Sequence, residues 1–162
     1  MADMIVNLMN IPDLAWCREK EKALLGEGII IRRAMVPDMY AILDFVEMVG
    51  GRYAKGECAV SFSRQPVSCF VAEKDGELIG YACYEATMKD FFGPTKVRED
   101  HQGKGIGAAL LLRCLHDMRN IGYAYAIIGG IGPAEFYEKV CGARIIEGST
   151  PGIYRDFRKF GK

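Results

Sequence analysis

The sequence has no charge excess, no long apolar run, no paired-cysteine motif and almost no histidine. Lys plus Arg and Asp plus Glu each number 21 in 162 residues. No net field therefore recommends nucleic acid or an anionic membrane as a partner. No stretch approaches ~18 uninterrupted apolar residues, so no membrane-spanning helix is expected. The opening MADMIVNLMNIPDLAW carries an early acid and no long apolar run, so no signal peptide is expected. The six cysteines, at 17, 58, 69, 83, 114 and 141, never form CxxC and sit mostly in apolar runs. They read as reduced, buried thiols of a cytoplasmic protein. Only His101 and His116 occur, with no Cys or acid at ligand spacing, so no metal is expected. Repeats and low-complexity tracts are absent as well. The length suits one domain with a core of its own.

What is present is an alternation of helical and strand patterns. Residues 1–27 read as a short helical extension, with Pro12 near the helix start and glycines at its end. Residues 28–162 then form one domain. GIIIRRA (28–34) reads as a strand. Pro37 opens a helix whose stripe is Met39, Ile42, Leu43, Val46 and Val49, and Gly50-Gly51 stops it. Residues 52–65 have room for one more short helix. SCFVAE and LIGYACYEAT flank Lys74-Asp75-Gly76-Glu77, a hairpin signal because Asp-Gly accepts positive φ. FFGPTKV (91–97) reads as a strand that Gly93-Pro94 bends or bulges.

A long helix follows, with Gly107, Leu110, Leu111, Cys114, Leu115 and Met118 on one face and Arg113, His116, Asp117 and Arg119 opposite. YAYAIIGG (123–130) is a buried strand, AEFYEKVCG a short helix, and strands at 145–147 and 153–160 close the chain. The order gives a mixed α/β sheet covered by helices.

HQGKGIGAALL (101–111) spends three glycines at a helix start. A helix N-terminus offers unpaired N–H groups and a partial positive charge, and glycines let a phosphate reach the backbone. Gln102, Gly103, Lys104, Gly105, Ile106, Gly107 and Ala108 therefore read either as a phosphate cradle or as a close-packed turn. The P-loop fails, because Gly105 rather than Ser or Thr follows Lys104. Gly103, Gly105 and Ala108 match the dinucleotide G-x-G-x-x-A, but charged REDHQ (98–102) separates them from the strand, and YAYAIIGGIG offers no acid for the ribose.

Gln102, Gly105 and Gly107 match Q/R-x-x-G-x-G/A between a strand and a helix. With Thr95-Lys96-Val97 before it, YAYAII after it, and Phe136-Tyr137-Glu138-Lys139 on the next helix, residues 28–160 resemble the GNAT superfamily of N-acetyltransferases. The resemblance implies a mixed, mostly antiparallel sheet with splayed middle strands and helices on both faces. It implies acetyl-CoA as acyl donor, its pyrophosphate on the 102–108 backbone and its arm against Val97. It implies Tyr137 as the acid that protonates the departing thiolate. The acceptor it implies is a small-molecule or peptide amine attacking directly in a ternary complex, and a homodimer is among the family's usual assemblies. Two departures stand out: Gly130 replaces a frequent Asn, and the Tyr-x-x-x-Gly-aromatic ending becomes Tyr137-Glu138-Lys139-Val140-Cys141-Gly142-Ala143. They leave open a second reading, a CoA-binding regulatory or interaction domain without turnover.

Acetyl transfer also needs a base for the amine, whose ammonium has a pKa near ~10.4. Glu57, Glu85 and Asp90 are the carboxylate candidates, and a water chain is the alternative. Cys114 and Cys141 have no histidine at motif spacing, so neither is expected to carry the acyl group.

Overall fold

In the computed structural model, which describes residues 1–160, eleven helices and strands build one seven-stranded sheet. The last two residues of the expected domain lie outside the described residues. In chain order the elements are β1 (Met4–Asn7), α1 (Leu14–Gly26), β2 (Ile29–Arg33), α2 (Met39–Val60), β3 (Cys69–Lys74), β4 (Glu77–Tyr84) and β5 (Phe91–Val97), followed by α3 (Ile106–Asn120), β6 (Tyr125–Ile128), α4 (Ala134–Cys141) and β7 (Arg144–Ile145). The spatial order is β2-β3-β4-β5-β6-β1-β7. Every neighbouring pair is antiparallel except β5 with β6. Helices α1, α3 and α4 pack on one face, and α2 covers the other. No helix among the described residues is long and apolar enough to cross a membrane.

The β3–β4 hairpin forms as its turn residues dictate. Lys74 faces Glu77, and Asp75 (φ 52°) and Gly76 (φ 77°) both take left-handed backbone. Val97, Lys96 and Thr95 stay paired with Gly80, Tyr81 and Ala82 of β4. Towards β6, however, β5 pairs only at Phe91↔Ile127 and Phe92↔Ile128. From Gly93 onward the two strands diverge, and the β6-facing edge of β5 is left without a strand partner.

Three expectations are corrected. Residues 4–7, read as part of a helical extension, form β1 in the middle of the second half-sheet, between β6 and β7. Met4, Val6 and Leu8 are buried while Ile5 is 37% exposed, a period of two too short to stand out from a helical pattern. The break expected at Gly50-Gly51 is present: α2 leaves helical backbone at Gly51 (φ 87°, ψ 172°), and a second helical stretch runs on to Val60 within the 52–65 segment. Residues 153–160 form a turn followed by irregular backbone rather than a strand, since β1 already occupies the sheet position beside β6. The strand expected at 145–147 is the two-residue β7.

Most of the polar face of α3 is engaged by the rest of the protein, while Arg119 stays exposed. His116 is buried with its Nε2 2.7 Å from the Pro12 carbonyl, and Arg113 grips Glu21 of α1 through both carboxylate oxygens. Asp117 accepts from Arg33 of β2 and from the Tyr84 hydroxyl. Helix α1, its first turn capped by Asp13 accepting from the Trp16 N–H at 2.8 Å, therefore covers α3 with paired polar groups.

Candidate active site

The 102–108 loop enters α3 through two left-handed glycines, Gly103 (φ 80°) and Gly105 (φ 87°). Gly105 is the N-cap and provides no side-chain cap. The first-turn N–H groups of Ile106, Gly107 and Ala108 have no intrahelical acceptor, so an anion can take them. Space is open in front of them, since a Cβ on Gly103 or Gly105 would meet nothing within 4 Å. On Gly107 a Cβ would make ordinary contact with Phe136 (3.6 Å) and Val97 (3.7 Å). Protein packing does not require glycine there, so what the small residue leaves free is room in the cleft. The Gln102 side chain is engaged elsewhere. Its Nε2 donates to the Val97 carbonyl at 3.0 Å, and its backbone N–H donates to the Glu99 carbonyl. Gln102 thus latches the loop to the end of β5.

One cleft of about 430 Å³ runs from this loop along the diverging edge of β5 to α4. Val97, Gln102, Gly103, Gly105, Ile106, Gly107, Ala108 and Tyr137 all line it, and Lys104 borders a neighbouring groove with Gly105 and Ala108. Every expected cofactor residue except Lys104 is thereby in one wall with the expected acid. Thr95, Phe92 and Phe136 also line it. Thr95 and Phe136 belong to the motifs that carry the family resemblance but had no expected cofactor role, and Phe92 lies outside them.

Tyr137 is wedged between aromatic neighbours, Phe136 at 5.1 Å and Phe92 at 6.3 Å between ring centroids, both edge-on. Its hydroxyl donates to no protein acceptor among the described residues. Burial, with a smaller contribution from the Cys141 thiol, pushes its pKa up to about 12, so the phenol is protonated at neutral pH. Cys141 is itself pushed up to about 11 by burial, and Cys114 well above its ordinary range, so neither is a ready nucleophile.

The three candidate bases do not line the cleft. Asp90 and Glu85 sit together before β5, where the Glu85 carboxylate accepts the Asp90 N–H. Burial and then Glu85 push Asp90 up to about 6. Glu57 lies on the α2 side of the sheet. It accepts from Thr87 Oγ1 at 2.8 Å and from the Tyr154 hydroxyl. The Tyr154 ring lies over the end of β6, so close that a Cβ on Gly130 would stand 2.8 Å from it. A Cβ on Gly129 would likewise come within 2.9 Å of Phe91 and Ile153. Gly129 and Gly130 therefore let residues 149–160 cross this face, and Glu57 ends up one tyrosine's length from the β5–β6 opening. Tyr53 extends the same wall, with Phe157 5.2 Å away.

The Acetyltransferase (GNAT) family model matches residues 37–143. Among solved structures, the chain is similar to the GCN5-related glucosamine N-acetyltransferase region of a fungal multi-domain GH3 β-N-acetylglucosaminidase, at 13% identity over 90% of this chain and 19% of that one, with a TM-score of 0.69. It is also similar to a GCN5-related N-acetyltransferase from Sphaerobacter thermophilus, at 19% identity over 90% of this chain and 48% of that one, with a TM-score of 0.61. At these identities the likeness is one of fold. The chain spans less than half the length of either. No curated protein matches the sequence. The family model covers well over half of the chain and includes the glycine loop, the diverging strands and Tyr137: this protein belongs to the GNAT family of acetyltransferases.

Proposed function

We propose that the chain is an N-acetyltransferase that moves an acetyl group from acetyl-CoA to a primary amine by direct attack in a ternary complex. The observation that carries this reading is one continuous cleft. It joins an uncapped helix N-terminus, the unpartnered edge of β5 and a buried, protonated tyrosine.

Each part has work to do. The pyrophosphate takes the N–H groups of residues 106–108, and the amide-bearing arm of the cofactor pairs with the β5 edge like an added strand. A backbone N–H of that edge, near Val97, stabilises the tetrahedral oxyanion. Tyr137 gives its proton to the departing thiolate. A phenol near 12 against a free thiol near ~8.5 is an uphill donor, but the same burial raises the thiol and narrows the gap. The amine approaches from the α2 side, where Glu57, held by Thr87 and Tyr154, takes its proton. That route places acid and base on opposite faces of the sheet, so neither needs to reset through the other.

Thermal melts with acetyl-CoA, CoA and NAD, then CoA release over a panel of amines, test the reading. A ligand at ~100 times its Kd adds about 2.7 kcal/mol of stability. We expect a shift with both CoA species and intersecting initial-rate lines. No shift with either, or a larger one with NAD, overturns it. A shift with no release from any amine would instead favour a CoA-binding domain without turnover.

A further inference from the structure

Three cysteines that the acetyl-transfer reading does not use meet inside the sheet's α2 face. Cys58 lies on α2 beyond the kink, Cys69 at the start of β3 and Cys83 near the end of β4. All three are fully buried. Cys69 and Cys83 face each other in the β3–β4 register, so both project to the same side, and Cys58 meets them from above. Their sulfurs all lie within 4.8 Å of one another, with Cys58 and Cys83 3.6 Å apart. A planar ion with three metal–sulfur bonds of ~2.3 Å needs sulfurs ~4.0 Å apart, so small side-chain rotations convert the observed triangle into a ligand set. The surrounding side chains, such as Ile42, Val46 and Val71, are apolar. The buried Ser61 hydroxyl, which donates to the Cys58 carbonyl at 2.7 Å, is the nearby oxygen that would complete a tetrahedral set for Zn(II), and three thiolates select a soft cation over a hard one.

We propose that Cys58, Cys69 and Cys83 form a three-thiolate site for a thiophilic d10 cation, Cu(I) or Zn(II), that ties the second half of α2 to β3 and β4. Loading exchanges three S–H bonds for three metal–sulfur bonds and releases three protons, with no electron transferred. The bound site keeps a net charge of minus one with Zn(II) and minus two with Cu(I). The tie reaches the stretch of α2 that carries Tyr53 and Glu57, on the face away from the glycine loop. It is thus independent of whether acetyl-CoA binds.

The full chain, reduced and unfolded, would be refolded without oxygen with one equivalent of Zn(II) or of Cu(I), then washed with chelator. Metal per chain, the sulfur shell by X-ray absorption, and the melting temperature would be measured. We expect one ion per chain in one of the two arms, three sulfur neighbours at ~2.3 Å and a raised Tm. Cys58→Ala and Cys83→Ala should lose the ion, and Cys114→Ala should keep it. Wild-type protein that retains neither ion overturns the proposal, as does retention undiminished in Cys58→Ala or a sulfur shell of a different number. A two-hydrogen mass loss localised to Cys58 and Cys83, with no metal retained, would do the same by showing a disulfide pair. Should the variants fail to fold, the wild-type metal count and shell decide alone.

Discussion

Tyr137 and Gly107 line the cleft from different helices, and each admits a substitution that separates role from packing. Tyr137→Phe removes only a hydroxyl that has no protein partner, so the aromatic contacts to Phe136 and Phe92 survive. Acetyl-CoA affinity should change little. The chemical step should slow roughly 10²–10⁴-fold, with the loss in kcat rather than KM, because the proton is needed only in the transition state. Normal kcat in the variant would return Tyr137 to the core. Gly107→Val puts two methyls beyond the position where a Cβ already touches Phe136 and Val97, so they must fill the cleft. Calorimetry should find acetyl-CoA binding abolished in a variant with a native-like circular dichroism spectrum. Gly105 is a poorer probe, because its φ of 87° strains any side chain regardless of ligand.

Among the elements, α2 offers a comparison within one helix. Gly51 holds a φ, ψ combination reserved for glycine, and its Cβ position is open. Gly51→Ala should therefore lower stability by about 1–3 kcal/mol through backbone strain alone. Gly56, in helical backbone with equally open space, should gain about 0.4–1 kcal/mol as Ala by restricting the unfolded chain. Denaturant melts of the two variants should move in opposite directions. This helix also marks where the sequence stops being legible. Asp75-Gly76 and the 102–108 glycines declare themselves because a turn or a helix start is decided by a few adjacent residues. A Gly-Gly pair declares a break but not whether the helix resumes. The polar side of α3 misleads for another reason: Arg113, His116 and Asp117 are charged or polar yet covered, because their partners, Glu21, the Pro12 carbonyl and Arg33, lie far off in sequence. Glu57 and Tyr154 meet by the same kind of distant contact, so the wall they form could not be read ahead of the fold.

At the scale of the whole molecule, stability should carry a pH signature from Asp90. Its folded pKa of about 6 lies above the ordinary 3.8, so the folded state holds the proton more tightly than the unfolded chain does. Ionising it therefore weakens the fold, and this loss develops as pH rises from near 4 to above 6. Asp90→Asn keeps a side chain that tolerates the left-handed φ of 66° at this position. The variant should melt higher than wild type at pH 7.5, with the difference vanishing near pH 4. An equal difference at both values would assign the effect to packing rather than charge. Beyond equilibrium, the insertion of β1 between β6 and β7 sets an order of events. Strand β1 pairs with neighbours far along the chain, Met4 opposite Ile128 and Ile145. That pairing closes the longest loop of the sheet, whereas the β2–β5 half is joined by hairpins and one shorter crossing through α2. The half-sheet that bears the glycine loop can therefore assemble while the other waits, its apolar β6 edge uncovered, for β1 to close it.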